Sequence, residues 1–402
     1  MARLMHGVRK AVLAEMAITM GTNFLLGTRN LMILQFCTTF RKGGGIQTHV
    51  SDLSHWLEKN GHNIQFAGDP IDSSMAANSQ GFISLPMTKI ANADRNIITR
   101  IGTMVKSAFR LRRAISKHPV DIIHTHETAP ALVARLATFG KKIPIVMTFH
   151  GSAPERIPSA ARTAKYCADV VASPSRISLN ALIANGVDSD KARVLGLGIK
   201  PLPEHTPEQV EDLRRRYLPG GKGTLIFSPS RLDHQKGIDV MIDVAKNVVA
   251  KHPDAVFVVA GGGPLTSVVD GWAEKAGLSS NMKFLGAIDT VPLHLQASDI
   301  FLLTSRWEAL PISIVEAFRA ARPVIATDCG GVSELVDDSV GALCPVEDVA
   351  ALTQSVLDLI ESESVRKSKG QAALKRSTED RFDCEAVHAK FEETYKELVG
   401  GR

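Results

Sequence analysis

Two glutamates, Glu308 and Glu316, lie eight positions apart on either side of a predicted turn between a strand and a helix. Before them, Ile300–Leu303 is a short apolar run typical of a buried strand. Between them, Pro311 suits the first turn of a helix, because the backbone N–H that it lacks would have no partner there. We therefore expect Glu308 in the loop after the strand and Glu316 inside the following helix.

The end of a strand in an open α/β sheet is where such folds bind ligands. Free N–H groups at a helix start can hold an anion, and two carboxylates can accept hydrogen bonds from hydroxyl groups. An anion beside several hydroxyls describes a nucleotide sugar. The pair alone is equally well explained as an exposed loop residue and a solvated helix residue.

Arg231 and Lys236 follow another predicted strand, in a loop that Gly237 closes at the start of a helix. Arg offers a planar fork and Lys a point charge, so the two side chains can bind one pyrophosphate group. Fixed cations at that place would stabilise a departing diphosphate more in the transition state than in the ground state. The alternative is a solvated basic turn.

The composition is typical of a large globular enzyme. With 402 residues, of which 44% are hydrophobic and 22% charged, the chain can form at least two hydrophobic cores. No apolar run reaches the roughly 18 residues that a membrane-spanning helix needs. The five cysteines are scattered and lack the spacing of a zinc site, which favours a reducing compartment and argues against structural zinc. We therefore expect a cytoplasmic protein.

Strand and helix patterns alternate along the chain in two series, separated near residue 200 by a segment rich in Gly and Pro. Such alternation predicts parallel sheets with helices on both faces, and the break predicts a linker between two domains. The predicted strands are 31–36, 63–67, 81–85, 121–126, 143–148 and 170–173 in the first series, then 224–229, 255–260, 283–285, 300–303, 324–326 and 341–344 in the second.

These patterns divide the chain into five predicted parts. They are an extension 1–30, a first domain 31–197, a linker 198–207, a second domain 208–380 and a helix 381–402 that packs back on the first domain. Residues 1–30 lack a convincing signal-peptide cleavage site. They are either an extra amphipathic helix or a stretch that precedes the biological start.

Four segments together resemble the GT-B glycosyltransferases, and most closely the large retaining family numbered four. They are Gly43–Val50, Thr148–Gly151, Ser230–Gly237 and Glu308–Ala317, in the family's order along the chain. The resemblance implies an α/β fold of GT-B architecture, in which two Rossmann-like, doubly wound domains face each other across a cleft. It also implies a nucleotide-sugar co-substrate, most often a UDP-sugar, with no other cofactor and no metal.

The resemblance also implies roles for individual residues. Arg231, Lys236 and His150 would be catalytic, with the two cations at the diphosphate and His150 beside the donor sugar near the scissile bond. Glu308 would bind sugar hydroxyls, and Glu316 would bind the ribose diol.

The other implied contacts involve both domains. Gly44 and Gly45 would approach the donor phosphates, while His126 and Glu127 would shape the acceptor side of the cleft. A tight turn and a structural histidine are the alternatives for Gly44–Gly45 and His126. The helix start after Glu308 would add the backbone of Leu310, Pro311, Ile312 and Ser313.

A basic stripe follows one face of the helix predicted at 101–118. Lys106, Arg110, Arg113 and Lys117 fall within about 60° of one another at about 100° per residue. Residues 1–200 carry 25 Lys and Arg against 12 Asp and Glu, whereas 201–402 carry 22 against 30. Both features favour peripheral binding to the inner face of the cytoplasmic membrane, with roughly 1 kcal/mol from each charge near an anionic leaflet. A solvated basic face explains the stripe equally well, and no nucleic-acid motif is present.

We therefore expect a retaining glycosyltransferase that moves a hexosyl unit from a nucleoside diphosphate sugar to a glycan or lipid-linked acceptor. Its place would be in cell-envelope, exopolysaccharide or lipopolysaccharide synthesis. Because no carboxylate is placed as a covalent nucleophile, the resemblance favours attack from the face on which the diphosphate leaves. A nucleotide-sugar epimerase and a non-catalytic donor-binding scaffold on the same fold are the alternatives.

Overall fold

The structure is a computed structural model that describes residues 30–40, 44–71, 81–91 and 96–401. The predicted extension lies outside the described residues, except for residue 30. Apolar runs bounded by Gly, Pro and Asn form short strands that alternate with helices, as expected for parallel sheets covered on both faces. The strands form two separate sheets in chain order.

The first sheet contains, among the described residues, seven parallel strands in the order β3-β2-β1-β4-β5-β6-β7. The strands are β1 Met32–Phe40, β2 Asn63–Pro70, β3 Ile83–Ser84, β4 Ile122–His126, β5 Ile145–Thr148, β6 Val170–Ser173 and β7 Ala192–Val194. The helices of this half are α1 Gly45–Lys59, α2 Met87–Ala91, α3 Ile97–Lys117, α4 Thr128–Ala137, α5 Ile157–Cys167 and α6 Arg176–Ala184.

The second sheet has six parallel strands within the described part of the chain, in the order β10-β9-β8-β11-β12-β13. They are β8 Leu225–Pro229, β9 Val256–Ala260, β10 Met282–Phe284, β11 Ile300–Leu303, β12 Val324–Thr327 and β13 Gly341–Cys344. The helices that follow the first domain are α7 Pro207–Tyr217, α8 Ile238–Lys251, α9 Val269–Lys275, α10 Val291–Ala297, α11 Ile312–Arg319, α12 Val349–Glu361, α13 Glu363–Arg376 and α14 Cys384–Gly400.

Several predicted boundaries differ from those of the structure, and one strand was missed. Strand β1 continues to Phe40, beyond its predicted end at residue 36, because Phe40 pairs with β2 and is fully buried. Helix α3 begins four residues before its predicted start, because the Asn96 side chain accepts a hydrogen bond from the N–H of Ile98 and caps an earlier turn. Strand β7 was missed because its three residues include the exposed Arg193 and form no apolar run.

Both sheets separate two hydrophobic layers, and successive residues of a strand point into different layers. In β11, Ile300 and Leu302 pack in one buried cluster with Ile226, whereas Phe301 and Leu303 pack in the other. Because these strands are covered on both faces, alternate positions need not be polar, and the strands are continuous apolar runs.

The strand orders place a reversal between β1 and β4 in the first sheet and between β8 and β11 in the second. Strands on the two sides of a reversal send their following helices to opposite faces, which opens a crevice at their carboxyl ends. The loops after β1, β4, β8 and β11 contain most of the predicted site residues. The topology therefore brings residues from distant parts of the chain to two sheet edges.

Helix α14 packs against the first sheet although it follows the second in the chain. Phe391 and Tyr395 are buried with residues of that sheet. The Tyr395 hydroxyl lies 2.7 Å from Nδ1 of His124 in β4, and Trp56 donates to Glu385 at 2.6 Å. The predicted domain boundaries remain a prediction.

The domains also meet through a carboxylate at a helix start. Glu334 of the second domain accepts hydrogen bonds from the Ser175 hydroxyl at 2.6 Å and from the N–H of Ile177 at 2.8 Å. The N–H groups at the start of α6 lack intrahelical partners, and a carboxylate there is stabilised by the helix dipole. Among the described residues, no helix is long and apolar enough to cross a membrane.

Candidate active site

Glu308 lies in the loop between β11 and α11, where two partners hold its carboxylate. The Ser305 hydroxyl donates to Oε1 at 2.7 Å, and the Lys236 ammonium forms an ion pair with the same oxygen. The Glu308 side chain is only 8% exposed. Gly330 packs against this loop with a φ of +54°, and a Cβ there would lie 1.8 Å from the Glu308 carbonyl oxygen. The carboxylate is therefore fixed in position by the protein itself.

Arg231 and Lys236 lie in the loop between β8 and α8, which Asp233 organises. The Asp233 carboxylate accepts a hydrogen bond from the Lys236 N–H at 3.2 Å and pairs with Nε of Arg231 at 3.3 Å. Gly237 has a φ of +60° and lies against the Thr304 carbonyl, so glycine is required there. Each cation thus has a carboxylate partner, and the convergence of both on one diphosphate remains a prediction.

Arg306 connects the two loops, a role that the sequence did not indicate. Its guanidinium binds Asp239 at 2.7 Å and Glu347 at 2.6 Å and donates to the His234 carbonyl at 2.8 Å, while its N–H donates to the Gln235 carbonyl at 2.7 Å. Hydrogen bonding to Arg306 lowers the pKa of Asp239. The partners lie 41 to 72 positions away in the chain, so no local spacing could have revealed them.

Helix α11 begins at Ile312, which is followed by Ser313, and its N-cap is Pro311. The sequence predicted Pro311 within the first turn, and this was wrong because its ψ of 114° is extended. No side chain caps this helix start, so the N–H groups of Ile312 and Ser313 lack an intrahelical partner and can bind an anion. Leu310, which precedes Pro311, is buried in the core of the second domain.

Glu316 lies inside α11, on the helix turn that follows the uncapped start. Burial raises the pKa of its carboxyl, and the charge of Arg319 opposes that effect. Unlike Glu308, its carboxylate forms no hydrogen bond or ion pair with the described residues. Its hydrogen-bonding capacity is available to a ligand.

The start of α1 faces the start of α11 across the domain boundary. Gly44 is the N-cap of α1 with a φ of +101°, and no side chain caps the helix. A Cβ on Gly45 would lie 3.5 Å from Cδ1 of Ile312. Residues 41–43 of the predicted glycine loop lie outside the described residues. Two uncapped helix starts, each with a positive end of the helix dipole, therefore meet at the cleft.

His150 follows β5 and is half-buried at the same boundary. The next residue, Gly151, has a φ of +81°, and a Cβ on it would lie 2.8 Å from the Ala309 nitrogen of the second domain. Burial lowers the pKa of His150 to about 4, so its imidazole is neutral near pH 7. His126 is fully buried, with Nδ1 3.1 Å from Nε2 of His150. Glu127 has a φ of +94°, a strained conformation for a residue with a Cβ.

The structure thus brings the predicted residues together in pairs. Lys236 contacts Glu308 within the second domain, His126 contacts His150 within the first, and Gly45 approaches Ile312 between them. Within the described ranges, no group of three or more His, Cys, Asp or Glu side chains could hold a metal ion.

Two protein-family models match consecutive parts of the chain. The model described as Glycosyltransferase Family 4 matches residues 43–201, and that described as Glycosyl transferases group 1 matches residues 209–376. Together they account for most of the chain, and their junction coincides with the segment between the two sheets. The chain therefore belongs to the GT-B glycosyltransferases of the family 4 type, and both the predicted family and the predicted fold class are confirmed.

Curated relatives have similar lengths and low identities. A phosphatidyl-myo-inositol mannosyltransferase of Mycolicibacterium smegmatis is 24% identical over 90% of this chain and 92% of its own length. An N-acetyl-alpha-D-glucosaminyl L-malate synthase of Bacillus anthracis is 23% identical over 90% and 96%. Among solved structures, Anabaena HepE in complex with UDP and glucose has a TM-score of 0.76 at 20% identity, covering 91% of this chain and 99% of that one.

Proposed function

We propose that this glycosyltransferase moves a hexosyl unit from a nucleoside diphosphate sugar, with uridine as the base, to a glycan or lipid-linked acceptor. The observation that carries the proposal is the Lys236–Glu308 pair, held by Ser305 in the loops at the carboxyl edge of the second sheet. The HepE complex with UDP and glucose supports a uridine nucleotide. The mannosyltransferase and an Escherichia coli UDP-Gal:alpha-D-GlcNAc-diphosphoundecaprenol alpha-1,3-galactosyltransferase support an acceptor used in cell-envelope synthesis.

The reaction needs stabilisation of the leaving group. The bond between the anomeric carbon and the diphosphate oxygen breaks, and negative charge develops on the diphosphate. Lys236 and Arg231 would stabilise that charge, together with the uncapped start of α11. Glu308 would accept hydrogen bonds from sugar hydroxyls and Glu316 from the ribose diol.

We propose that the reaction proceeds with retention at the anomeric carbon. The acceptor oxygen would attack from the face on which the diphosphate departs, and its proton would pass to a diphosphate oxygen. The neutral His150 would lie beside the sugar, where an imidazole without charge can accept a hydrogen bond from a hydroxyl. No protein carboxylate becomes covalently bound in this scheme.

The acceptor side would lie on an anionic membrane surface. Lys106, Arg110, Arg113 and Lys117 are all exposed on α3, and none forms an ion pair with the described residues. Beside this basic stripe, Phe109 is 69% exposed. Exposed aromatic residues bordered by unpaired cations are suited to an interface that contains apolar chains and anionic headgroups.

A donor-release assay tests the transfer. Purified protein would be screened for binding of nucleoside diphosphate sugars by thermal shift, and diphosphate release would then be measured with candidate acceptors. Lys236→Ala should lower turnover by about 10²-fold or more, while Lys246→Ala, an exposed lysine on α8, should not change it. Saturable binding without turnover on any acceptor would favour the scaffold. Conversion of the donor sugar without an acceptor and without diphosphate release would favour the epimerase.

Sedimentation with vesicles tests the membrane surface. Vesicles containing phosphatidylglycerol should retain the protein at low salt, and phosphatidylcholine vesicles should not. Arg110→Glu combined with Arg113→Glu should reduce binding by about 30-fold or more, since two charges that contribute about 1 kcal/mol each are removed. The control, Lys246→Glu with Lys251→Glu, reverses two exposed charges on the second domain. Equal losses for both double variants would contradict a role for α3.

A further inference from the structure

Three polar side chains form a chain from the interior of the first domain to the cleft. Gln35 lies in β1, His126 at the end of β4 and His150 just after β5, and these strands are neighbours. Oε1 of Gln35 lies 2.8 Å from Nε2 of His126, and Nδ1 of His126 lies 3.1 Å from Nε2 of His150. Gln35 and His126 are completely buried, so neither can touch a ligand in the cleft.

The first link determines where His126 carries its proton. An amide oxygen can only accept a hydrogen bond, so Nε2 of His126 must donate to Gln35. Burial lowers the pKa of His126 well below its ordinary value, with nearby histidines adding to the effect, so the ring carries one proton. Nδ1 of His126 is therefore a lone-pair acceptor, and Nε2 of His150 must donate to it.

The second link determines the tautomer of His150. Its neutral ring has one proton, which Nε2 uses in the bond to His126. Nδ1 is then an acceptor, and it forms no hydrogen bond with the described residues. A histidine in the opposite tautomer would present an N–H group instead, and that group would not accept a hydrogen bond from a hydroxyl.

The orientation of the Gln35 amide controls the whole chain, because a reversed amide would place the proton on Nδ1 of both histidines. The amide nitrogen makes no hydrogen bond among the described residues, but the Gln35 side chain lies near enough to Tyr395 to affect its hydroxyl. Burial raises the pKa of the Tyr395 hydroxyl, and the Gln35 amide opposes this effect. If the Tyr395 hydroxyl donates to Nδ1 of His124, 2.7 Å away, its lone pairs face no other donor and favour an N–H group of Gln35 on that side.

We propose that His126, held by Gln35, is a positioning residue that keeps His150 in the tautomer with an unprotonated Nδ1. In this form, Nδ1 accepts a hydrogen bond from a hydroxyl of the donor sugar. The inference rests on the proposed function, since that function supplies the sugar. It assigns to His126 an indirect role, in place of the acceptor contact that the sequence predicted.

Nitrogen NMR of the intact protein labelled with ¹⁵N-histidine measures the tautomer directly. Two-bond ¹H–¹⁵N correlations distinguish a ring protonated on Nε2 from one protonated on Nδ1, and His150→Gln identifies the signals of His150. We expect an Nε2-protonated ring at pH 7. A ring protonated on Nδ1, or an equal mixture of tautomers, would overturn the proposal. This measurement requires no substrate, so it stands even if no sugar transfer is found.

A matched pair of variants tests the link to turnover. In His126→Asn, the side-chain oxygen occupies about the position of Nδ1 and can still accept from His150, whereas the longer side chain of His126→Gln reaches toward Gln35. The Asn variant should keep kcat within about twofold and preserve the NMR signature. The Gln variant should lower kcat about tenfold, the effect of one lost hydrogen bond, with KM for the nucleotide sugar changed less than twofold.

The outcomes separate positioning from packing. Equal losses of kcat in the Asn and Gln variants, with the His150 tautomer unchanged in both, would reduce His126 to a structural residue and overturn the proposal. If neither variant folds, as judged by thermal unfolding, the tautomer of the wild-type protein decides. Absence of transfer by the wild-type protein would reject the proposed function and leave the tautomer assignment standing.

Discussion

The Lys236–Glu308 ion pair offers the sharpest test, because it contributes to stability and is expected to contribute to turnover. The two side chains are 17% and 8% exposed, so both charges are largely removed from water. Lys236→Met keeps the unbranched stem and removes the charge. Among the described residues, the Glu308 carboxylate is then left with the Ser305 hydroxyl as its hydrogen-bond donor.

The cost follows from this burial. Removing one partner of a buried ion pair costs about 3–5 kcal/mol, and the residual exposure of Lys236 favours the lower end of that range, about 3 kcal/mol. In a domain of this size, that loss lowers the midpoint of thermal unfolding by about 6–12 °C. The double variant Lys236→Met with Glu308→Gln removes the unpaired charge as well, and should recover at least about 1 kcal/mol relative to Lys236→Met alone.

Turnover should not recover with stability. We expect diphosphate release to fall by about 10²-fold or more in Lys236→Met and to stay at that level in the double variant, because the cation at the departing diphosphate is absent from both. Differential scanning fluorimetry measures the stability, and a coupled assay for the released nucleoside diphosphate measures turnover. Lys246→Met, an exposed control, should change neither. A double variant that regains both stability and turnover would refute a catalytic role for Lys236.

Three further predictions follow from the same geometry. Arg306→Ala should lower kcat about tenfold, because it releases the two loops. It should lower the free energy of unfolding by only about 1–2 kcal/mol, since its partners Asp239 and Glu347 are 54% and 58% exposed. An unchanged kcat in a steady-state assay would contradict this. Gly330→Ala should destabilise the protein far more than Gly140→Ala, where a Cβ meets nothing within 4 Å, and the two thermal midpoints decide. Burial lowers the pKa values of His150 and other buried histidines below those of the unfolded chain. The stability that these neutral histidines contribute should therefore be fully present above about pH 6.5 and should be lost as the pH falls towards about 4. A urea-unfolding midpoint that does not change across that pH range would refute the expectation.

The parallel sheets could be predicted because their strands are continuous apolar runs bounded by turn residues. The twelve predicted strands correspond to observed strands, from β1 to β13 with only β7 missed. Boundaries were less predictable where a tertiary contact extends an element. Strand β1 reaches Phe40 because that ring is buried against Phe66 and Phe82, and residues so far apart in sequence give no local signal.

The residues of the candidate site also fall into those that the sequence predicted and those that it could not predict. Glu308, Lys236 and His150 could be named from motifs, because each lies in a loop that follows a strand and its neighbours in sequence resemble a family pattern. Arg306 and Gln35 could not, because their partners lie in other loops or strands. Neither residue lies within one of the four motifs, and each is linked to the site through hydrogen bonds made only after the sheets have formed.

The sequence by itself determined the fold class, the two sheets, the family and most of the residues at the sheet edges, because these depend on local apolar runs, turn residues and motif spacing. Only the tertiary structure decided which residues pair. It joined Lys236 to Glu308, placed Arg306 between their loops, and buried His126 beneath His150. The physical reason is that hydrogen bonds and ion pairs depend on distances of a few ångströms, which parallel strands set by their order in a sheet rather than by their order in the chain.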